Sequence, residues 1–230
     1  MEKNRDNCIL LFIEPVEDSK IRKDLKENFG LEEAKNLYRD LISLAYRKVK
    51  HYFNAIPIIS YYKTSKKPDL TWLDADDPGF VEYTGKSLED RIRNTFRLAF
   101  FTGAKKAILI DPMTPDVKTS FFDEAFSAIN DRTAALGLND DGSFYLLGLT
   151  QSNLKVLDAP GFTFSKSGEI LRDRLKKAKL AVFETGTCFQ VKDNESLKKW
   201  NSGKKIPVSK KNTEIKASAD PGNENTQKKQ

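Results

Sequence analysis

The chain has 230 residues, 39% hydrophobic with 15 Phe, which suits one large domain with a sizeable core. No run approaches the roughly 18 apolar residues needed to cross a bilayer, and the polar, mixed-charge opening Met1–Asn7 is no secretory signal, so a cytoplasmic protein is expected. Residues 201–230 carry seven Lys against three acids, which is +4 of the net +6, so the body is close to neutral and lacks the basic face of a nucleic-acid binder.

From the N-terminus, Cys8–Ile13 is a continuous apolar run, the pattern of a strand covered on both faces. Gly30 marks a boundary before a helix over Leu31–Tyr52, where Ala34, Leu37, Leu41, Leu44, Ala45 and Val49 recur at helical spacing. Ile56–Tyr62 is a second strand, with Pro57 confined to its start or to an unpaired position. Lys63–Phe80 is a polar loop. Ser87 caps a helix running to Thr102, with Asp90 at the capping-box position, and Gly103 stops it. A strand over Lys106–Ile110, a helix over Thr119–Ile129, and strands over Thr133–Leu138 and Phe144–Leu149 follow. A helix over Ser167–Ala178, a strand over Leu180–Phe183 and a short helix over Asn194–Trp200, capped by Asn194, close the body. Strands separated by helices predict a three-layer α/β/α sandwich with a mixed, mostly parallel sheet over residues 1–200. Residues 201–230, rich in Lys, Asn, Ser and Gln, bury too little to offset their ordering entropy and are expected to be disordered. Weak contacts of the tail lysines to RNA or anionic lipid are the most this segment offers.

Two acidic turns stand out. Asp111-Pro112-Met113-Thr114-Pro115-Asp116 follows the strand Lys106–Ile110, and Asp140-Asp141-Gly142 joins the next two strands. Carboxylates just past a buried strand are where open α/β sheets bind ligands, so a cleft for a metal-bridged phosphate or a sugar is expected. Asp111 is a metal ligand or a turn opener, and Asp116 a metal ligand or the cap of a helix starting near Val117. Asp140 and Asp141 position an acceptor hydroxyl, act as a general base or form a hairpin turn. Lys20, Arg22 and Lys23 hold a diphosphate or line a solvated loop, and Arg91 contacts phosphate or pairs with Glu89 or Asp90. His51 is the single His, and Cys8 and Cys188 are far apart, which excludes a zinc site or a hydrolase triad. Both thiols are expected to be free and buried in a reducing compartment.

The segments together resemble the small bacterial glycosyltransferase-like family with a nucleotide-diphospho-sugar transferase (GT-A type) fold. That family is itself similar to the molybdenum-cofactor and phospholactate guanylyltransferases. The resemblance rests on Asp140–Leu149, which is similar to the family's acid, Asp-Gly-Gly, paired aromatics and Leu-x-Gly-Leu. It rests also on Gly85–Ile92, similar to Gly-x-x-Leu-x-x-Arg, on Pro115-Asp116, similar to the end of Asp-Ser-Pro-Asp, and on Phe162–Ser165, where a Trp-Ser/Thr segment usually lies. It implies a nucleotide or nucleotide-sugar as ligand, with Arg22, Lys23, Arg91, Gly142 and Ser143 beside it. It further implies Mg²⁺ or Mn²⁺ on Asp111 and Asp116 in an active member, and acceptor chemistry at Asp140 and Asp141.

The departures cluster at phosphate and metal positions. The family's first loop carries Gly and then Val-Lys-Thr-Arg-Leu. Here Ser19–Leu25 has no Gly, with Arg22 for Lys and Asp24 for Arg. Met113 aligns with a metal-binding Asp, although a thioether is a poor ligand for a hard cation. Lys192 falls where a family Asp-Val-Asp-Thr segment carries its second Asp. Two readings follow: a metal-assisted glycosyl- or nucleotidyltransferase, or a degenerate relative that keeps the fold as a binding or interaction protein with no metal.

Overall fold

The computed structural model describes residues 3–17, 20–62, 70–76, 80–158 and 167–203. In chain order the elements are β1 (Asn7–Ile13), α1 (Lys23–Phe29), α2 (Leu31–Lys50), β2 (Ile56–Tyr62), β3 (Val81–Tyr83), α3 (Leu88–Phe101) and β4 (Lys106–Ile110). They continue with α4 (Thr119–Ala128), β5 (Thr133–Leu138), β6 (Phe144–Leu149), a 3₁₀ helix (Gln151–Leu157), α5 (Ser167–Lys177), β7 (Ala181–Glu184) and α6 (Asn194–Gly203).

The strands form one seven-stranded sheet in the order β3-β2-β1-β4-β6-β5-β7. Only β6 runs against its neighbours, β4 and β5; the other pairings are parallel. Alternation along β1 explains the three layers. Cys8, Leu10 and Phe12 face α3 and α5 through Ile92, Phe96, Leu171 and Leu175. On the opposite face Leu11 and Ile13 meet Ala34, Leu37 and Leu41 of α2, while Ile9 meets Phe122, Ala125 and Phe126 of α4. The mixed, mostly parallel α/β sandwich expected from the sequence is therefore the fold observed. Pro57 is the second residue of β2, ahead of Ser60, where pairing to β3 begins. Among the described residues no helix is long and apolar enough to cross a membrane.

Local chemistry accounts for the helix ends. Ser87 caps α3 by accepting from the Asp90 amide at 3.1 Å, as its position predicts. The Asp90 carboxylate accepts from Arg93 on the same helix. At α6 the cap is Asp193 rather than Asn194. Its Oδ1 accepts from the Ser196 amide at 2.8 Å, and Ser196 Oγ accepts from the Asp193 amide at 3.1 Å, a reciprocal capping box that Asn194 cannot form from inside the helix. That helix runs to Gly203, past the boundary expected at Trp200, and residues 204–230 lie outside the described residues. The sequence reading missed α1, β3 and the 3₁₀ helix, which are short and carry little periodicity.

Cys8 and Cys188 are both free and buried, as expected. Burial pushes each thiol up to about 12, so both stay protonated at neutral pH and are poor nucleophiles. Ellman's reagent at pH 8 should therefore titrate neither thiol in the folded protein and both after denaturation. Rapid labelling in native buffer would show that the core around β1 opens readily.

Candidate nucleotide-binding cleft

The chain leaves β1 for β2 on one side and returns through α3 to β4 on the other, so the strand order reverses between β1 and β4. Ligands of open α/β sheets bind outside the carboxyl ends of the strands at such a reversal. A cleft of 550 Å³ lies there. Its lining includes Phe12 and Glu14 at the end of β1, Asp111 and Met113 after β4, Arg22, and Tyr38 of α2. Lys20 and Lys23 stand on the same cleft.

Asp111 is the first residue beyond β4. Its amide donates to the Tyr145 carbonyl at 3.0 Å, which extends the β4–β6 ladder and holds the carboxylate at the cleft floor. Both of its oxygens are engaged: Oδ1 accepts from the Met113 amide at 3.1 Å and Oδ2 from Gln190 Nε2 at 2.7 Å. The Gln190 side-chain carbonyl accepts from Arg22 Nη1 at 3.1 Å. Arg22 also forks onto Asp24, through Nε at 3.0 Å and through Nη2. A chain of bonds thus runs Asp24–Arg22–Gln190–Asp111. Burial pushes the Asp111 carboxyl above the usual range, and the nearby Arg22 charge only partly offsets this. Burial works against the Arg22 charge as well, but the bond to Asp24 and the fields of Asp24 and Asp111 outweigh it and raise its pKa.

The second acidic turn lies between β5 and β6, near enough for the Asp141 charge to push Asp111 further up. Asp141 Oδ1 accepts from the Ser143 amide and hydroxyl, and Oδ2 accepts from Lys192 Nζ at 2.8 Å. Burial opposes ionisation of Asp141, yet Lys192 and Ser143 hold its carboxyl below the usual range. The bond to Asp141 raises Lys192 in turn. Asp140 Oδ2 accepts from Lys199 Nζ at 3.1 Å. Gly142 takes φ +82°, and its carbonyl accepts from the Gly168 amide at 3.1 Å. A Cβ on Gly168 would stand 2.5 Å from that carbonyl oxygen, so only glycine lets α5 start against the turn. Gly168→Ala should lower stability by about 1–3 kcal/mol through overpacking. A urea midpoint equal to that of wild type would show that the turn yields freely.

The remaining expected site residues divide. Arg91, in the first turn of α3, stands 3.9 Å from Glu14 at the cleft, so its partner across the fold is Glu14. The space beneath Arg91 admits only glycine at position 85, whose Cβ would lie 2.7 Å from the Arg91 amide nitrogen. Lys23 is exposed and pairs with Glu27 at 3.4 Å. Of the expected site residues Arg22, Lys23 and Asp111 line this cleft, whereas Arg91, Asp140, Asp141, Gly142, Ser143 and Asp116 do not. Asp116 Oδ1 accepts from the Phe189 amide at 3.4 Å, and Asp116 acts on Lys48 and Cys188 instead. Nor does it cap a helix, because α4 begins at Thr119 behind Lys118. The Phe162–Ser165 segment lies outside the described residues. Gln190, Glu14 and Tyr38 were missed by sequence reasoning. The sequence signal for Gln190 is its place at the head of the segment that aligns with the family's Asp-Val-Asp-Thr.

The donor set does not fit a divalent cation. Met113 contributes a thioether and packs into the core, with its amide on Asp111 and its carbonyl accepting from the Val191 amide. The oxygens of Asp111 and Asp141 already accept protein N–H and O–H groups. Among the described residues no three His, Cys, Asp or Glu side chains group as cation ligands.

Comparison with known proteins adds the family and the fold. A protein classed as a nucleotide-diphospho-sugar transferase from Desulfovibrio desulfuricans G20 is 21% identical, with TM-score 0.77, covering 93% of this chain and 92% of that one. A nucleotidyl transferase from Methanothermobacter thermautotrophicus is 11% identical, with TM-score 0.60 and coverage of 86% and 96%. A CMP:2-keto-3-deoxy-manno-octonic acid synthetase complexed with CTP is 12% identical, with TM-score 0.53 and coverage of 86% and 97%. No curated protein matches the chain. Residues 47–162 match a family model described as an uncharacterized protein conserved in bacteria. With that match over half its length, and the sheet of the nucleotidyl- and nucleotide-sugar transferases beneath it, the chain belongs to the DUF2064 family, as a divergent member with a GT-A-like fold.

Proposed function

We propose that this protein binds a nucleotide or nucleotide-sugar in the β1–β4 cleft, with the phosphates against Lys20, Arg22 and Lys23. The observation that carries this reading is the position of the cleft at the strand-order reversal, with three cationic side chains on it. The fold likeness to a synthetase complexed with CTP supports it. Free, buried thiols suit the reducing cytoplasm as its location.

The site favours binding over metal-assisted transfer. A transferase reading needs Asp141 to orient an acceptor or take a proton, but both of its oxygens are engaged by Ser143 and Lys192. Asp140, which pairs with the exposed Lys199, is the better placed of the two for acceptor chemistry. Thermal unfolding against nucleoside mono-, di- and triphosphates and nucleotide-sugars tests the reading. A ligand at about 100 times its Kd should stabilise the fold by roughly 2.7 kcal/mol. A flat response to every compound, with and without Mn²⁺, would overturn it. Release of diphosphate from a nucleoside triphosphate, or of nucleoside diphosphate from a nucleotide-sugar, in ³¹P spectra of the same samples would favour the transferase reading.

A further inference from the structure

We infer that this protein holds the phosphates of its ligand without a divalent cation, the Arg22 guanidinium in the cleft and the Lys192 ammonium at the neighbouring Asp141 turn supplying the countercharge to Asp111 and Asp141. The inference rests on the nucleotide reading above and deepens it. A bridging cation does two things in such a site: it neutralises the carboxylates, and it presents positive charge to the phosphates. Here Lys192 Nζ lies 2.8 Å from Asp141 Oδ2, and Arg22 reaches Asp111 through Gln190. The first task is therefore performed by the chain itself.

For the second, an ammonium carries three N–H donors, and the bond to Asp141 uses one. The Lys192 side chain keeps 38% of its surface exposed, so the pair is open to solvent and leaves room for a further acceptor. The position is enforced from several sides. The Lys192 carbonyl accepts from Asn28 Nδ2 at 3.3 Å, and its amide donates to Ser196 Oγ at 3.0 Å, within the cap of α6. On the other side, Ser143 pins Asp141 and the Gly142–Gly168 contact pins the turn. Met113, beside Asp111, adds a thioether and no side-chain oxygen.

A direct test compares wild type with Lys192→Glu and Lys192→Met. A glutamate is one atom shorter than lysine, and the gap it leaves to Asp141 suits a cation held at about 2.1 Å by oxygens on each side. Electron paramagnetic resonance reads Mn²⁺ binding with no nucleotide present. Reversing one charge beside Asp141 should tighten Mn²⁺ binding by about tenfold or more in K192E, with a smaller gain in K192M, which removes the charge but adds no oxygen ligand. Wild type that binds Mn²⁺ as tightly as K192E would overturn the inference, and so would a folded K192E that gains nothing. Calorimetry of wild type with UDP, CDP and GDP, in EDTA and then in Mn²⁺, forms the second arm. Equal affinity in both buffers, weakened in K192M, supports the inference, and binding that requires Mn²⁺ overturns it. Should no nucleotide bind in either buffer, the nucleotide reading falls and with it the phosphate part of this inference, whereas the Mn²⁺ comparison still decides whether Lys192 supplies the countercharge to Asp141 in place of a cation.

Discussion

Arg22→Ala should destabilise the protein by about 1–3 kcal/mol and remove the nucleotide binding proposed for the β1–β4 cleft. The guanidinium links Asp24 to Gln190, and through Gln190 to the buried Asp111. Its loss leaves Asp111 without a compensating charge and Gln190 without a donor. The cost falls short of that of a fully buried pair because the Arg22 side chain keeps 32% of its surface exposed.

The pH dependence has a defined sign. Burial already raises the Asp111 carboxyl above its unfolded value of about 3.9, and removing Arg22 raises it further. A carboxyl with a raised folded pKa favours the folded state most below the unfolded value and loses that contribution as pH climbs through the folded value. The R22A deficit should therefore shrink as pH falls from neutrality toward the carboxylate range. Adding Asp111→Asn should recover part of the loss, because an amide needs no countercharge. Urea titrations of the four proteins in this cycle give the coupling. A pH-independent deficit, or a double variant no better than R22A, would show that Arg22 stabilises through Asp24 alone.

Phe96→Ala should cost about 3–5 kcal/mol, the range for a large aromatic deleted from a packed core. Phe96 has no exposed surface and lies on the inner stripe of α3, stacked with Phe100 at 6.1 Å. Its cluster joins Leu10 and Phe12 of β1, Leu109 of β4, and Leu171 and Leu175 of α5. The void would sit where the sheet meets two helices that cannot close on it independently. The melting temperature should fall on the order of 10 °C for a chain of this size. Because α3 also carries Arg91, the loosening should reach the cleft and weaken any nucleotide that stabilises wild type. A loss under about 1 kcal/mol would contradict the packing of α3 against β1 and β4.

Much of this architecture is written in local patterns. The apolar runs Cys8–Ile13 and Ala107–Ile110 can only be strands covered on both faces, and their register side by side is observed. Ser87 and Gly103 delimit α3 because capping is a contest among a few adjacent groups. The Asp-Asp-Gly turn needed no more than its two flanking apolar strands and a glycine at φ +82°. Where local signals were nearly equal, the reading slipped. Asn194 and Asp193 are both good caps, and only the reciprocal bonds to Ser196 select Asp193.

The amino-acid sequence by itself determined the layers, the strand ends and the two acidic turns, since burial period and turn chemistry act over a few residues. It also placed an arginine, a methionine and a lysine at positions unlike those of the family it resembles. Only the tertiary structure decided what these residues do, because the partners are distant along the chain: Arg22 meets Gln190 across 168 positions and Lys192 meets Asp141 across 51. Tertiary structure also gave Asp116 and Asp111 different partners, since Asp116 accepts from the Phe189 amide and acts on Lys48 while Asp111 accepts from the Met113 amide and Gln190. A charge placed by sequence becomes a ligand, a cap or a countercharge only when the fold brings it within a few ångströms of its partner, where electrostatic and hydrogen-bonding energies become appreciable.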